Sequence, residues 1–242
     1  YKVMGLAPYG EDHYADVMRE LVRLDHDDWY QLGKGFFGMH EGAESGALDE
    51  RNQIVMDRLY SPRLEDLLGE PRLRSGPLTQ REKDIARSTQ VRFEEAALHC
   101  MRRLHALVPT GRLAMAGGCA LNGVANARIL RETPFVTPYL QAAASDDGAC
   151  MGAAFWVWHN VLGRTERFHM KHAFWGPGYS DDRIRAVAEG SGFPLQTCRD
   201  ESELVEVAAG MIADGLVVGW YQGRSEWGPR ALGNRSILAN PT

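Results

Sequence analysis

Between Leu113 and Leu162 the chain runs through an alternation that few architectures accommodate. A short apolar strand, Leu113–Ala116, meets the glycine pair Gly117-Gly118 and then a helical stretch, Ala120–Arg131. Thr133–Gln141 carries Phe135, Val136 and Tyr139 and is strand-like, with Pro134 and Pro138 marking an edge. Ser145-Asp146-Asp147-Gly148 then turns into an apolar helix, Ala149–Leu162. Strand, glycine turn, helix, strand, acidic turn and helix in that order predict an α/β core whose ligand-facing loops lie beyond the strand ends.

The flanking segments are read in the same way. Upstream, Thr79 and Glu82 form a capping box ahead of Ile85, Thr89, Phe93, Cys100, Leu104 and Leu107, and Pro109 stops the helix. Glu11–Leu24 shows Tyr14, Val17, Met18, Leu21 and Val22 at helical spacing. Residues 25–77 have little periodicity and suggest strands and loops with short helices. Downstream, Gly163–Gly178 turns charged and ends in Gly176-Pro177-Gly178, a domain boundary in composition. Beyond it a helix at Ser180–Glu189, a strand at Phe193–Thr197, a helix at Glu201–Ala213 and a strand at Leu216–Tyr221 open a second α/β unit.

Composition excludes several functions. Lys and Arg number 27 against 32 Asp and Glu, a formal charge of −5, which argues against a general phosphate-backbone binder. The apolar stretches are shorter than the about 20 residues a bilayer span needs. The four cysteines stand far apart, so neither a disulfide framework nor a zinc knuckle is expected, and a reducing, cytoplasmic setting is the default. The chain opens at Tyr1 and reads as an excised fragment.

Several motifs invite chemistry. Gly33-Lys34-Gly35-Phe36-Phe37-Gly38 matches a dinucleotide fingerprint literally, but Phe stands where small residues belong and loop composition follows, so we read it as a decoy. His169 and His172, and His99 and His105, lack the acidic partners or the shared helix face of a metal pair. Gly117 and Gly118 are better placed, because amides at such a turn can meet a phosphate; a plain tight turn is the alternative. Asn122 and Asn126, one helical turn apart, face the same ligand or solvent. Asp146 is a metal-ligand candidate, and a helix cap is the alternative that spacing favours. The sharpest feature is Gln222–Ser236, where Arg224, Arg230 and Arg235 follow an apolar strand. Guanidinium forks match phosphate and carboxylate oxygens bidentately, so an anion site is favoured over a solvated loop whose arginines pair with Glu226.

Four blocks resemble a known family: Tyr1–Gly10 (YKVMGLAPYG), Asp84–Glu95 (DIARSTQVRFEE), Ala116–Asn126 with Ser145–Ala154, and Gly215–Ala239 (GLVVGWYQGRSEWGPRALGNRSILA). Together they resemble the O-carbamoyltransferases of nodulation-factor and antibiotic biosynthesis. The resemblance implies residues 1–163 from the second half of an actin/Hsp70/sugar-kinase-like domain, a linker at 164–178, and at 179–242 the start of a second α/β domain similar to threonylcarbamoyl-adenylate synthases. It implies that carbamoyl phosphate and ATP form carbamoyl-adenylate, whose carbamoyl group passes to a hydroxyl of a small acceptor. Nucleic acid and membrane are not among the implied partners.

Carried over residue by residue, Lys2 with Gly5, Gly117 and Gly118, and Asn122 fall to the adenylate pocket, and Asp146 to a divalent metal, iron in the family's best-known example. Arg224, Arg230 and Arg235 fall to the catalytic arginines. Ser145, Ser225 and Asn240 depart from the residues common there without removing a proposed ligand. The family's paired histidines would lie upstream of Tyr1 and most of the C-terminal domain beyond Thr242, so this fragment alone is expected to be inactive. The rival readings are a sugar kinase or ATPase of the same superfamily, a tRNA threonylcarbamoyl transferase, and a non-catalytic nucleotide-binding module.

Overall fold

The computed structural model describes residues 2–26, 28–38, 47–48, 50–52, 54–55, 59–73 and 75–241. The chain divides into two compact units, Tyr1–Met115 with Cys119–Tyr139, and Ala116–Gly118 with Leu140–Thr242. Helices alternate with short strands, which gives the expected α/β character; among the described residues every sheet is two-stranded.

The first unit opens with α1 (Lys2–Leu6), a single 3₁₀ turn (Ala7–Tyr9) and α2 (Ala15–Leu21). The helix expected from residue 11 starts only at Ala15, because the segment before it is tied elsewhere. The Glu11 amide donates to Asp84 Oδ1 (2.8 Å) and the Tyr14 amide to Ser88 Oγ (3.0 Å). It also ends early, at the antiparallel pair of β1 (Val22–Arg23) and β2 (Gln31–Leu32). The second short pair, β3 (Ala47–Leu48) with β4 (Ile54–Val55), and α3 (Pro62–Leu68) follow.

The glycine-rich decoy contributes packing. Lys34–Phe36 is a 3₁₀ turn, and Phe36, 2 % exposed, joins Met18 and Leu21 in a small core. The loop composition read after it, residues 39–46, lies outside the described residues.

Helix α4 (Gln80–Leu107) is the longest element. Its capping box forms as expected: the Thr79 amide and hydroxyl both donate to Glu82 Oε2, at 2.8 and 2.6 Å. The apolar stripe, however, is not its most buried face. Asp84, Ser88, Gln90 and Glu94 are buried, while Leu107 is exposed. Each of the four has polar partners, as buried polar groups require. Asp84 takes the Glu11 amide, His13 and Gln80; Glu94 takes Gln90 Nε2 (2.8 Å) and Arg128 Nη1 (2.8 Å). The apolar core of this unit joins Leu98 of α4 to Leu113, Ile129 and Phe135. These come from β5 (Arg112–Met115), α5 (Gly123–Glu132) and the approach to β6 (Thr137–Leu140), which pairs with β5.

In the second unit α6 (Ala149–Trp156) continues into a π-helical turn, Val157–Val161, where one regular helix was expected. Then come α7 (Asp181–Glu189), capped by Ser180, and α8 (Glu201–Ala213), capped by Asp200. The strand expected at Phe193–Thr197 does not form. Pro194 supplies no amide, and no ladder partner lies alongside it among the described residues. Strands β7 (Val218–Tyr221) and β8 (Arg235–Leu238) pair antiparallel, from Val218 opposite Leu238 to Tyr221 opposite Arg235. No described helix is long and apolar enough to cross a membrane.

Glu82 makes the capping box acid-sensitive. Hydrogen bonds from the Thr79 hydroxyl, then from Arg81 and the Thr79 amide, hold its carboxyl at about 2 against an ordinary 4.5. A folded pKa below the unfolded one contributes stability in full above the unfolded value, and this is lost as pH falls toward the folded value. Urea unfolding followed from about pH 6 to about pH 2 should therefore show Glu82→Gln losing less stability on acidification than the wild type.

Candidate functional site

The site is organised by four consecutive residues, Ala142–Ser145, in the second unit. Ala143 and Ala144 are buried, 1 % and 5 % exposed. The Ala144 carbonyl accepts the Gly117 amide at 2.5 Å. Gly117 has φ +88°, a left-handed conformation that favours glycine. A Cβ built on Gly117 would meet nothing within 4 Å, and one on Gly118 only Ser145 Oγ at 3.7 Å. The glycine turn is thus exposed, with the Ser145 hydroxyl beside Gly118, and is seated on the segment that leads into Asp146.

The arginine segment meets the same stretch at Ala142. A Cβ on Gly228 would fall 2.6 Å from the Ala142 carbonyl oxygen, and φ at Gly228 is +122°. Only glycine permits this close approach. The structure therefore brings Gly117, Gly118, the Asp146 turn and the arginine loop onto one short stretch of chain. Lys2 and Gly5, both exposed on α1, and Asn122 belong to the first unit.

The loop between β7 and β8 is held by its own polar groups and by the segment Trp175–Pro177. Arg224 donates from Nε to the Gly176 carbonyl (2.9 Å) and from Nη2 to the Trp175 carbonyl (3.3 Å). The Gly176 amide bonds the Ser225 carbonyl, and the Ser225 amide bonds Pro177. Arg235 donates to the carbonyls of Gln222 (2.8 Å), Asn234 (2.7 Å) and Gly223 (3.1 Å), with its guanidinium 3.4 Å from the centre of the Tyr221 ring. Arg230 is half-buried, between Gly228 and Gly233. Glu226 sits inside the loop: its Oε1 accepts the amides of Leu232 (2.9 Å), Asn234 (2.7 Å) and Arg235 (3.0 Å). Burial pushes this carboxyl up, but the amides of Leu232, Arg235 and Asn234 outweigh it and leave the pKa at about 2.

Two models of known families match the chain. A model of the carbamoyltransferase N-terminus covers residues 1–155, and one of the carbamoyltransferase C-terminus covers residues 209–242. The chain belongs to the carbamoyltransferase family. An uncharacterised Synechocystis protein is 38 % identical over 251 residues, which span all of this chain and 38 % of that protein. The nodulation protein NolNO of Sinorhizobium fredii is 36 % identical over 246 residues, all of this chain and 32 % of its own length. The 3'-hydroxymethylcephem-O-carbamoyltransferase of Amycolatopsis lactamdurans is 29 % identical over 248 residues, 99 % of this chain and 39 % of its own. The chain thus spans well under half the length of these curated relatives.

Within this carbamoyltransferase chain, Asn122 is the N-cap of α5. Its Oδ1 accepts the Ala125 amide (3.1 Å), and its amide pairs both ways with Gln90 of α4, at 2.9 and 3.1 Å. Asn126 is buried rather than solvated; its Nδ2 donates to the Ala120 carbonyl, and its Oδ1 is buried with no partner among the described residues. The Asp146 carboxylate is exposed in the 3₁₀ turn Asp146–Gly148. Among the described residues no three His, Cys, Asp or Glu side chains converge to hold a metal ion. One exposed carboxylate is too few donors, so the described residues do not by themselves make a metal centre.

Gln90 and Glu94 are residues that sequence reasoning passed over, and Glu226, weighed there only as a partner for the arginines, accepts main-chain amides. The signal for Glu226 is its position two residues after Arg224, inside a glycine-punctuated run. Asn122→Ala removes both the helix cap and the Gln90 pair. It should lower stability by about 1–2 kcal/mol in denaturant unfolding.

Proposed function

We propose that the protein transfers a carbamoyl group from carbamoyl phosphate, by way of carbamoyl-adenylate, to a hydroxyl of a small acceptor such as a sugar or an antibiotic-like molecule. The observation that carries this reading is the seating of both the glycine turn and the arginine loop against Ala142–Ser145, in a chain of carbamoyltransferase sequence. Relatives named for nodulation and for cephem O-carbamoylation support the acceptor class. On this reading residues 1–163 belong to an actin-like transfer domain and 179–242 begin the adenylate-forming domain.

Adenylate formation requires water to release inorganic phosphate from carbamoyl phosphate, leaving carbamate. A carbamate oxygen then attacks the α-phosphorus of ATP while the bond to the bridging oxygen of pyrophosphate breaks. Charge develops on phosphoryl oxygens in that step. Fixed donors stabilise such charge best, because they need no reorganisation. Arg224, Arg230 and Arg235 place three positive charges on one short segment, and two of these guanidinium groups are held by main-chain carbonyls. The exposed turn at Gly117 and Gly118 suits a nucleotide, since neither glycine carries a side chain and only the Ser145 hydroxyl stands near them. On this reading Lys2, Gly5 and Asn122, all of the first unit, are also nucleotide-binding residues, an assignment that rests on the family resemblance. A divalent metal, to which Asp146 would give one ligand, does not fit the described residues alone. The four free cysteines suit a cytoplasmic enzyme.

The test is pyrophosphate release from ATP by the full-length protein, with and without carbamoyl phosphate. Release should depend strictly on carbamoyl phosphate and fall about 100-fold in Arg230→Ala, the scale for loss of a preorganised charge-stabilising donor. ATP hydrolysis indifferent to carbamoyl phosphate would instead indicate a kinase-like ATPase. Inactivity of the folded protein would favour a binding module.

A further inference from the structure

The β7–β8 loop contains a charge that works against its apparent purpose. A segment with three arginines that is read as an anion site encloses a carboxylate, Glu226, and none of the hydrogen bonds described above for that carboxylate comes from an arginine side chain. Its Oε1 instead gathers the amides of Leu232, Asn234 and Arg235. Bonds from amides to a carboxylate are short and stronger than neutral pairs. They close the chain from residue 226 to residue 235 into a ring with Arg230 inside it.

The rest of the loop is locked around that ring. The Gln222 side chain donates to the Gly233 carbonyl (3.0 Å), Asn234 Nδ2 to the Arg224 carbonyl (2.7 Å), and the Gly233 amide to Ser236 Oγ (3.2 Å). Gly228 and Gly233, with φ of +122° and +103°, take the turns that other residues resist. Every one of these bonds is internal to the loop and its flanking strands. The loop is therefore shaped before any ligand arrives.

We propose that Glu226 is the positioning residue of the anion site: its carboxylate holds the 227–234 loop in the form that presents Arg230 to a phosphate group. The inference rests on the reading of this loop as the phosphate-handling part of a carbamoyltransferase. Glu226 touches no substrate in this account and acts through the loop. An unstructured loop would have to order itself on binding, and each immobilised side chain would cost affinity. A loop already closed on Glu226 avoids that loss.

Coulomb's law and positioning predict opposite signs. If Glu226 were merely a negative charge near an anion, removing it would tighten binding. If it shapes the loop, removing it weakens binding.

The probe is inorganic pyrophosphate, titrated calorimetrically into the full-length wild type and into Glu226→Gln, Glu226→Ala and Arg230→Ala. Amide hydrogen exchange at Leu232, Asn234 and Arg235 is followed in parallel. Pyrophosphate binding should weaken about tenfold or more in Glu226→Ala, with exchange at the three amides accelerated. Glu226→Gln keeps one acceptor oxygen and should fall between the wild type and Glu226→Ala, which preserves the test if the alanine variant misfolds.

Unchanged or tighter binding in Glu226→Gln overturns the proposal, as does the absence of pyrophosphate binding by the wild type. If pyrophosphate binds and weakens as expected but turnover proves independent of carbamoyl phosphate, the transferase reading falls and the positioning role stands.

Discussion

The first unit depends on charge buried along one face of α4. Glu94 lies between Gln90 and Arg128, and Asp84 between the Glu11 amide, His13 and Gln80. A buried carboxylate without partners would cost several times what an ordinary core contact contributes, so each must find donors from another segment. That requirement fixes where the strap after α1 crosses α4, and it brings Arg128 of α5 onto α4. Gln90 then extends the network to Asn122, which caps α5 just beyond the glycine turn. Apolar packing at Leu98, Leu113, Ile129 and Phe135 supplies the driving force. The polar contacts select one arrangement from those that would bury the same surface.

The second unit uses the same logic with the roles of charge exchanged. Arg224 and Arg235 are bonded to main-chain carbonyls, and Glu226 to main-chain amides. Neither arginine depends on a mobile carboxylate for its place. Such a loop keeps its positive charge while giving up its freedom, which is the arrangement electrostatic catalysis needs. The close approach of Gly228 to Ala142 seats this loop beside the chain that also carries the glycine turn.

How much of this was legible in the sequence depends on whether the signal was local. The capping box at Thr79 and Glu82, the span of α8 and the turn at Gly117 are written in adjacent residues, and the structure has all three. The buried face of α4 was not legible, because a search for apolar periodicity looks past Asp84, Ser88, Gln90 and Glu94. Their burial follows from partners more than 30 residues away in sequence, such as Asn122 and Arg128. The late start of α2 has the same cause. The absent strand at Phe193–Thr197 shows the converse: β-forming residues do not make a strand without a neighbouring ladder. In the site, the arginine cluster was visible as composition, whereas the role of Glu226 required the fold of the loop. Membership of the carbamoyltransferase family was legible in the motifs, since four blocks along the chain carried it.

If this loop serves adenylate chemistry, reversal of that step tests it most directly. Labelled pyrophosphate should be incorporated into ATP by the full-length protein only when carbamoyl phosphate is present, since only then does an adenylate exist to be attacked. Exchange in the absence of carbamoyl phosphate would contradict the account. So would carbamoyl transfer that proceeds with no exchange at all.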